Sequence, residues 1–274
     1  MLTGVAGTAV MALTGCAGSE TSRALPTHVP LRQTPAATPP VAGLDAVIDI
    51  SHLVDVTDFT LVRRHSNILG VLHKTSEGGD WVDPLYSSRR PQAEAAGLLW
   101  GAYHFGTRQY SGADQAAAFL AAAQPGPRTL MALDFEPNER HRDNSMDVAE
   151  AEAFVRAIYQ ATGRLPLVYT HPSWADGEVY GRTGMSLRQP VRPDSILAQC
   201  DLWLADYREQ PEVPVAWSDR GWRLWQYAGN DGPDDAAYGS ASHSVAGVDH
   251  CDRNLFAGDV AALHQFWIGR TVTS

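Results

Sequence analysis

Short, almost continuously apolar runs alternate along the chain with segments whose apolar positions recur every three to four residues. The runs at 46–50, 68–73, 98–105, 130–135, 165–170, 202–207 and 224–227 read as strands, with a last one near 247–254. Such unbroken apolar character belongs to strands covered on both faces. Between them, 113–123 is Ala-rich and helical. The segment 146–161 sets Val148, Ala151, Val155, Ile158 and Tyr159 on one stripe. Asn144 or Ser145 stands where that helix needs an N-cap, and Gly163 where it needs a stop. Strands separated mostly by helices over roughly 230 residues predict an α/β fold, a single TIM-like β/α barrel. Between 204 and 248 no amphipathic helix is visible, so the barrel is expected to be irregular in its last three strands.

The first 42 residues follow a different pattern. Residues 2–12 are small and apolar, too short a run to span a bilayer and suited to a secretory signal. They lead into Leu13-Thr14-Gly15-Cys16, which resembles a bacterial lipobox. In such a segment the cysteine is lipidated and becomes the mature N-terminus. Residues 17–42 carry Pro26, Pro30, Pro35, Pro39 and Pro40 among Ser, Thr and Ala, a composition that reads as an extended tether. The expected organisation is a signal peptide over 1–16, a tether over 17–42 and one catalytic barrel over 43–270. Lipidation at Cys16 would attach the protein to the membrane, placing it in the cell envelope and facing the wall or periplasm.

Composition narrows the partners. The formal net charge is -10, and no run of Lys or Arg interrupts it. Nucleic acid and anionic membrane surfaces reward clustered positive charge and are poor partner candidates, so no nucleic-acid partner is expected. Eight Trp and nine Tyr suit stacking on sugar rings, although many such rings serve as core. Cys200 and Cys251 show no metal spacing and read as two buried free thiols, with a disulfide as the alternative. No zinc motif, P-loop, dinucleotide fingerprint or serine-hydrolase elbow is present. Neither a metal nor an organic cofactor is expected, and a monomer is.

Candidate chemistry lies at the ends of the predicted strands. Asp49 closes the first, Asp134 and Glu136 the fourth and Asp206 the sixth; Asp249 and Asp252 lie on the last. In a β/α barrel the carboxyl ends of the strands form the active-site face. Asp134 and Glu136 are two positions apart, so in a strand they point to one side, about 6.7 Å apart at Cα. Paired carboxylates in a cleft are glycosidase equipment: one protonates the leaving oxygen, and the other supports the developing positive charge. Burial and mutual repulsion are expected to raise the pKa of the acid, assigned to Glu136. The same acids would otherwise serve as helix caps or supports. His52 and His104 are expected near the same face.

Taken in order, the motifs resemble glycoside hydrolase family 25, the Chalaropsis-type lysozymes. They are Ala46-Val47-Ile48-Asp49-Ile50-Ser51-His52; Lys74-Thr75-Ser76-Glu77-Gly78 followed by Asp83-Pro84; Gly101-Ala102-Tyr103-His104-Phe105; Asp134-Phe135-Glu136; Leu202-Trp203-Leu204-Ala205-Asp206-Tyr207; Trp225-Gln226-Tyr227; and Cys251-Asp252-Arg253-Asn254. The resemblance spans about residues 43–260 and implies a muramidase. Such an enzyme cleaves the β-1,4 bond between N-acetylmuramic acid and N-acetylglucosamine in peptidoglycan. It makes Glu136 the general acid. Asp134 becomes the partner that stabilises the oxocarbenium-like state or positions the N-acetyl group. Asp49 and Asp252 become the remaining acids, and Tyr103, Tyr169, Tyr207 and Gln226 substrate-side groups. On the last strand Asp249 competes with Asp252 for its role. The alternative is a non-catalytic wall-binding lipoprotein that uses the same cleft. A lysin aimed at other cells fits an anchored protein less well.

Overall fold

A computed structural model describes residues 43–268, apart from 182, 209, 230–244 and 250. The proposed signal peptide, tether and lipidated Cys16 lie outside the described residues. In chain order the elements are β1 (Leu44–Ile50), α1 (Phe59–His65), β2 (Gly70–Glu77), β3 (Trp81–Val82), α2 (Tyr86–Ala95), β4 (Leu99–Phe105), α3 (Gly112–Ala123), β5 (Thr129–Asp134), α4 (Val148–Thr162), β6 (Leu167–Thr170), α5 (Pro172–Ala175), α6 (Ile196–Gln199), β7 (Leu202–Ala205), β8 (Trp222–Ala228), β9 (Asp252–Phe256) and α7 (Val260–Ile268). The sheet runs β1-β9-β8-β7-β6-β5-β4-β2, and pairing of β1 with β2 closes it into an eight-stranded barrel. The short β3 forms a hairpin on β2.

The irregularity expected late in the barrel takes a specific form. Seven strands run parallel, while β9 is antiparallel to both β1 and β8. The described residues between β7 and β9 contain no α-helix, only a 3-10 turn at Val215–Trp217. Reversal moves the cleft-facing end of β9 to its start. That is why Asp252, the first residue of β9, pairs with Asp49 near the end of β1.

Alternation along the strands divides the core in two. Side chains such as Val71, Trp100, Met131, Leu133 and Val168 turn outward and pack with the helices. Leu72, Leu99, Ala132, Leu167 and Leu224 turn inward. Leu263 and Trp267 of α7 join this inner cluster among residues from the strand starts, closing the end opposite the acids. Trp267 sits so close that a Cβ at Gly70 would fall 2.7 Å from its ring. Helix α4 has a capping box, but Asp147 forms it with Glu150 rather than Asn144 or Ser145. It ends as expected at Gly163, which takes a left-handed φ of 69°. Cys200 and Cys251 are both buried, and no disulfide joins them. Among the described residues no helix is long and apolar enough to cross a membrane.

Candidate active site

Inward positions near the carboxyl ends of the strands open onto a cleft of about 660 Å³. Asp49 (β1), Lys74 (β2), Tyr103 (β4), Asp134 (β5), Tyr169 (β6) and Gln226 (β8) all reach it, as does Asp252 at the start of β9. Phe135 turns outward into the helix-side core, so Glu136 turns back into the cleft beside Asp134. The two-residue spacing thus delivers both carboxylates to one cavity, although the strand ends at Asp134 and Glu136 lies on the loop beyond. Tyr207 completes the set of predicted substrate-side groups on the lining.

Gln226 organises the floor. Its Nε2 donates to both oxygens of Asp49, at 3.0 and 3.1 Å. Its Oε1 accepts hydrogen bonds from Tyr169 at 2.9 Å and Tyr207 at 2.7 Å. Asp49 also accepts from Asn254 Nδ2 at 2.7 Å, and Asn254 Oδ1 accepts the indole hydrogen of Trp203 at 2.6 Å. Burial raises Asp49 to a pKa of about 6, against the lowering pull of the Asn254 and Gln226 hydrogen bonds. Asp252 is joined more loosely, 3.4 Å from Gln226 Nε2.

The acid pair is electrostatically coupled. Asp134 is held well above the ordinary carboxylate range first by burial and then by the nearby charge of Glu136. The cause is placement: Asp134 is only 7 % exposed at the strand end, whereas the loop leaves the Glu136 side chain 26 % exposed. Asp134 Oδ1 is buried with no hydrogen-bond partner among the described residues. Such a group is costly unless an incoming molecule satisfies it.

Several contributors were not visible as site residues in the sequence. His171 Nε2 lies 3.2 Å from Glu136 Oε2. Lys74 is bound to Glu77 at 2.6 Å and sits over the rings of Trp81 and Phe105, at 5.1 and 4.8 Å. His52, expected near this face, lines the cleft and is held through Nδ1 by Asp83 at 3.0 Å. His104 does not reach the cleft. It faces outward, fully buried between Ser76 and Gln115 and stacked on Phe154. Asp206 is turned away as well, bound to Arg208 and to the backbone of Glu212. Asp249 is exposed and absent from the lining, so Asp252 is the last-strand acid that faces the cleft. Among the described residues no three His, Cys, Asp or Glu side chains gather as a metal site.

A closed barrel that brings two carboxylates from one strand end into an aromatic-walled cleft defines a glycoside hydrolase. Residues 48–234 match the family model of glycosyl hydrolases family 25, and the chain belongs to that family. Lysozyme M1 of Streptomyces globisporus is 28% identical over 241 residues, covering 84% of this chain and 72% of its own. A bacterial lysozyme from Streptomyces coelicolor has the same fold, with a TM-score of 0.66 at 25% identity over 83% of this chain and 98% of that one. A family 25 lysozyme from Aspergillus fumigatus matches with a TM-score of 0.63 at 25% identity, covering 84% and 100% of the two chains.

Proposed function

We propose that the enzyme is a muramidase, hydrolysing the β-1,4 bond between N-acetylmuramic acid and N-acetylglucosamine in peptidoglycan. The observation that carries this reading is the Asp134–Glu136 pair, one member buried with an unpartnered oxygen and the other at the cleft surface. A buried carboxyl kept protonated beside a charged neighbour lets the pair hold one proton between them. The acetamido N–H of a bound sugar would occupy Oδ1 of Asp134 and favour its ionised form. The proton then resides on Glu136, which delivers it to the glycosidic oxygen as the C1–O bond breaks. Ionised Asp134 faces the positive charge developing at C1. Glu136, now a carboxylate, takes a proton from the water that adds to C1, and the cycle closes. Asp49, fixed by Gln226 and Asn254, supplies a second negative group beneath the ring. Tyr103, Tyr169 and Tyr207 provide hydroxyls and ring faces, and Asp252 flanks the floor.

The lipobox-like segment at Cys16 and the Pro-rich stretch after it support action from the cell envelope, on a tether. The bond assignment is tested by mass analysis of the fragments that the purified protein releases from peptidoglycan. Muramic acid at the new reducing ends is expected. Glucosamine there would mean that the other bond is cut, and no release would favour a wall-binding protein.

A further inference from the structure

His171 belongs to none of the sequence motifs, yet its surroundings are built for one geometry. It occupies the N-cap position of α5, its carbonyl accepts from Ala175 at 3.0 Å, and Pro172 follows it. Its ring is 4.8 Å from that of Tyr180, 5.9 Å from Tyr169 and 6.4 Å from Tyr207. Only 8 % of the residue is exposed. From this tyrosine-walled seat Nε2 reaches Glu136 Oε2 at 3.2 Å, with the Tyr180 hydroxyl at 3.5 Å. We infer that His171 is a positioning residue for the general acid: it holds one carboxyl oxygen of Glu136 and so turns the other toward the scissile bond.

This rests on Glu136 being the acid. An ionised carboxylate can only accept, so Nε2 must carry the hydrogen whenever Glu136 is charged. Glu136 leaves the strand after Asp134 and is the more exposed of the pair, so backbone pairing does not fix its side chain. A bond to a ring locked on three sides does. Donation to the ionised form also favours that form. The titratable groups turned toward His171 are Glu136 on the loop after β5, Tyr169 on β6, Tyr180 beyond α5 and Tyr207 beyond β7. Asp134 and Asp49 also act electrostatically on Tyr169.

Two substitutions separate orientation from bulk. His171→Ala removes ring and donor, whereas His171→Gln places an amide N–H near the position of Nε2 without a titrating group. The full-length protein is assayed on purified peptidoglycan across pH, with folding checked by circular dichroism and Glu136→Gln run in parallel. His171→Ala is expected to lower kcat about 10- to 100-fold, the range of one lost hydrogen bond to a charged group, with KM little changed. Its basic limb of kcat should move up by about one pH unit, because in the substrate complex the acid now keeps its proton longer. His171→Gln should recover most of the rate and return the limb toward the parent. An unmoved limb in a folded His171→Ala, or no recovery in a folded His171→Gln, overturns the inference. Should Glu136→Gln itself remain active, the underlying assignment of the acid fails instead.

Discussion

Gln226 holds both oxygens of Asp49 from a position 177 residues away, at 3.0 and 3.1 Å. One side chain on β8 thereby fixes an acid on β1 while its carbonyl takes hydrogens from Tyr169 and Tyr207. Gln226→Leu keeps much of the volume and removes every one of these bonds. Buried polar groups left without partners cost about 1–3 kcal/mol each. Denaturant unfolding should show a loss in that range or above it, and turnover should fall with it. A variant within about 0.5 kcal/mol of the parent would show that water replaces the amide without penalty.

Asp49 gives the stability of the protein a pH signature. Its pKa rises from 3.8 unfolded to about 6 folded, so the folded state holds the proton more tightly. Stability from this group is therefore full below pH 3.8 and lost as pH rises through about 6. Asp134, raised for the same reason, acts in the same direction. Asp49→Asn cannot titrate there. Its stability relative to the parent should improve between pH 4 and pH 7, by on the order of 1–3 kcal/mol. A constant difference across that range would contradict the raised pKa.

Reversal of β9 decides between two acids three residues apart. Asp252 lines the cleft within reach of Gln226, whereas Asp249 is exposed outside it. Asp252→Asn should lower kcat/KM by about tenfold or more, and Asp249→Asn should leave it within about twofold. Equal effects would mean that the closing strand is registered differently.

The envelope address has its own test. Lipidation at Cys16 would provide the membrane attachment. Cys16→Ser should therefore shift the protein from the membrane fraction to the soluble one, or leave it unprocessed. Unchanged fractionation with membranes would remove the lipobox reading.

Much of this architecture was legible because parallel strands buried on both faces carry a continuous apolar signal. Seven barrel strands could be placed closely, the last was expected at 247–254 and lies at Asp252–Phe256, and period-two alternation put Asp134 and Glu136 in one cavity. What stayed hidden had local causes. Helix α2 buries Tyr86, Arg89 and Ala93 and contains Pro91, so its inner face is not an apolar stripe. Arg89 is tolerated there because the carbonyls of Ser51 and Val54 accept its hydrogens. Helix α1 buries only Phe59 and Val62. The direction of β9 leaves no mark in apolar pattern, since alternation reads the same both ways. His171 acts through a contact 35 residues distant in sequence, which no local spacing announces. The raised pKa of Asp134 comes from depth at the strand end, to which the nearby charge of Glu136 adds.

The central claim is that Glu136 donates the proton that releases the leaving sugar. Glu136→Gln preserves shape and hydrogen bonding and removes only the transferable proton. General-acid catalysis is worth about 10²–10⁴-fold, so kcat on purified peptidoglycan should fall by that factor in a protein shown to be folded, while substrate binding survives. Retention of more than about a tenth of the parental kcat would contradict the account and send the role to another carboxylate of the cleft, Asp252 or Asp49 first.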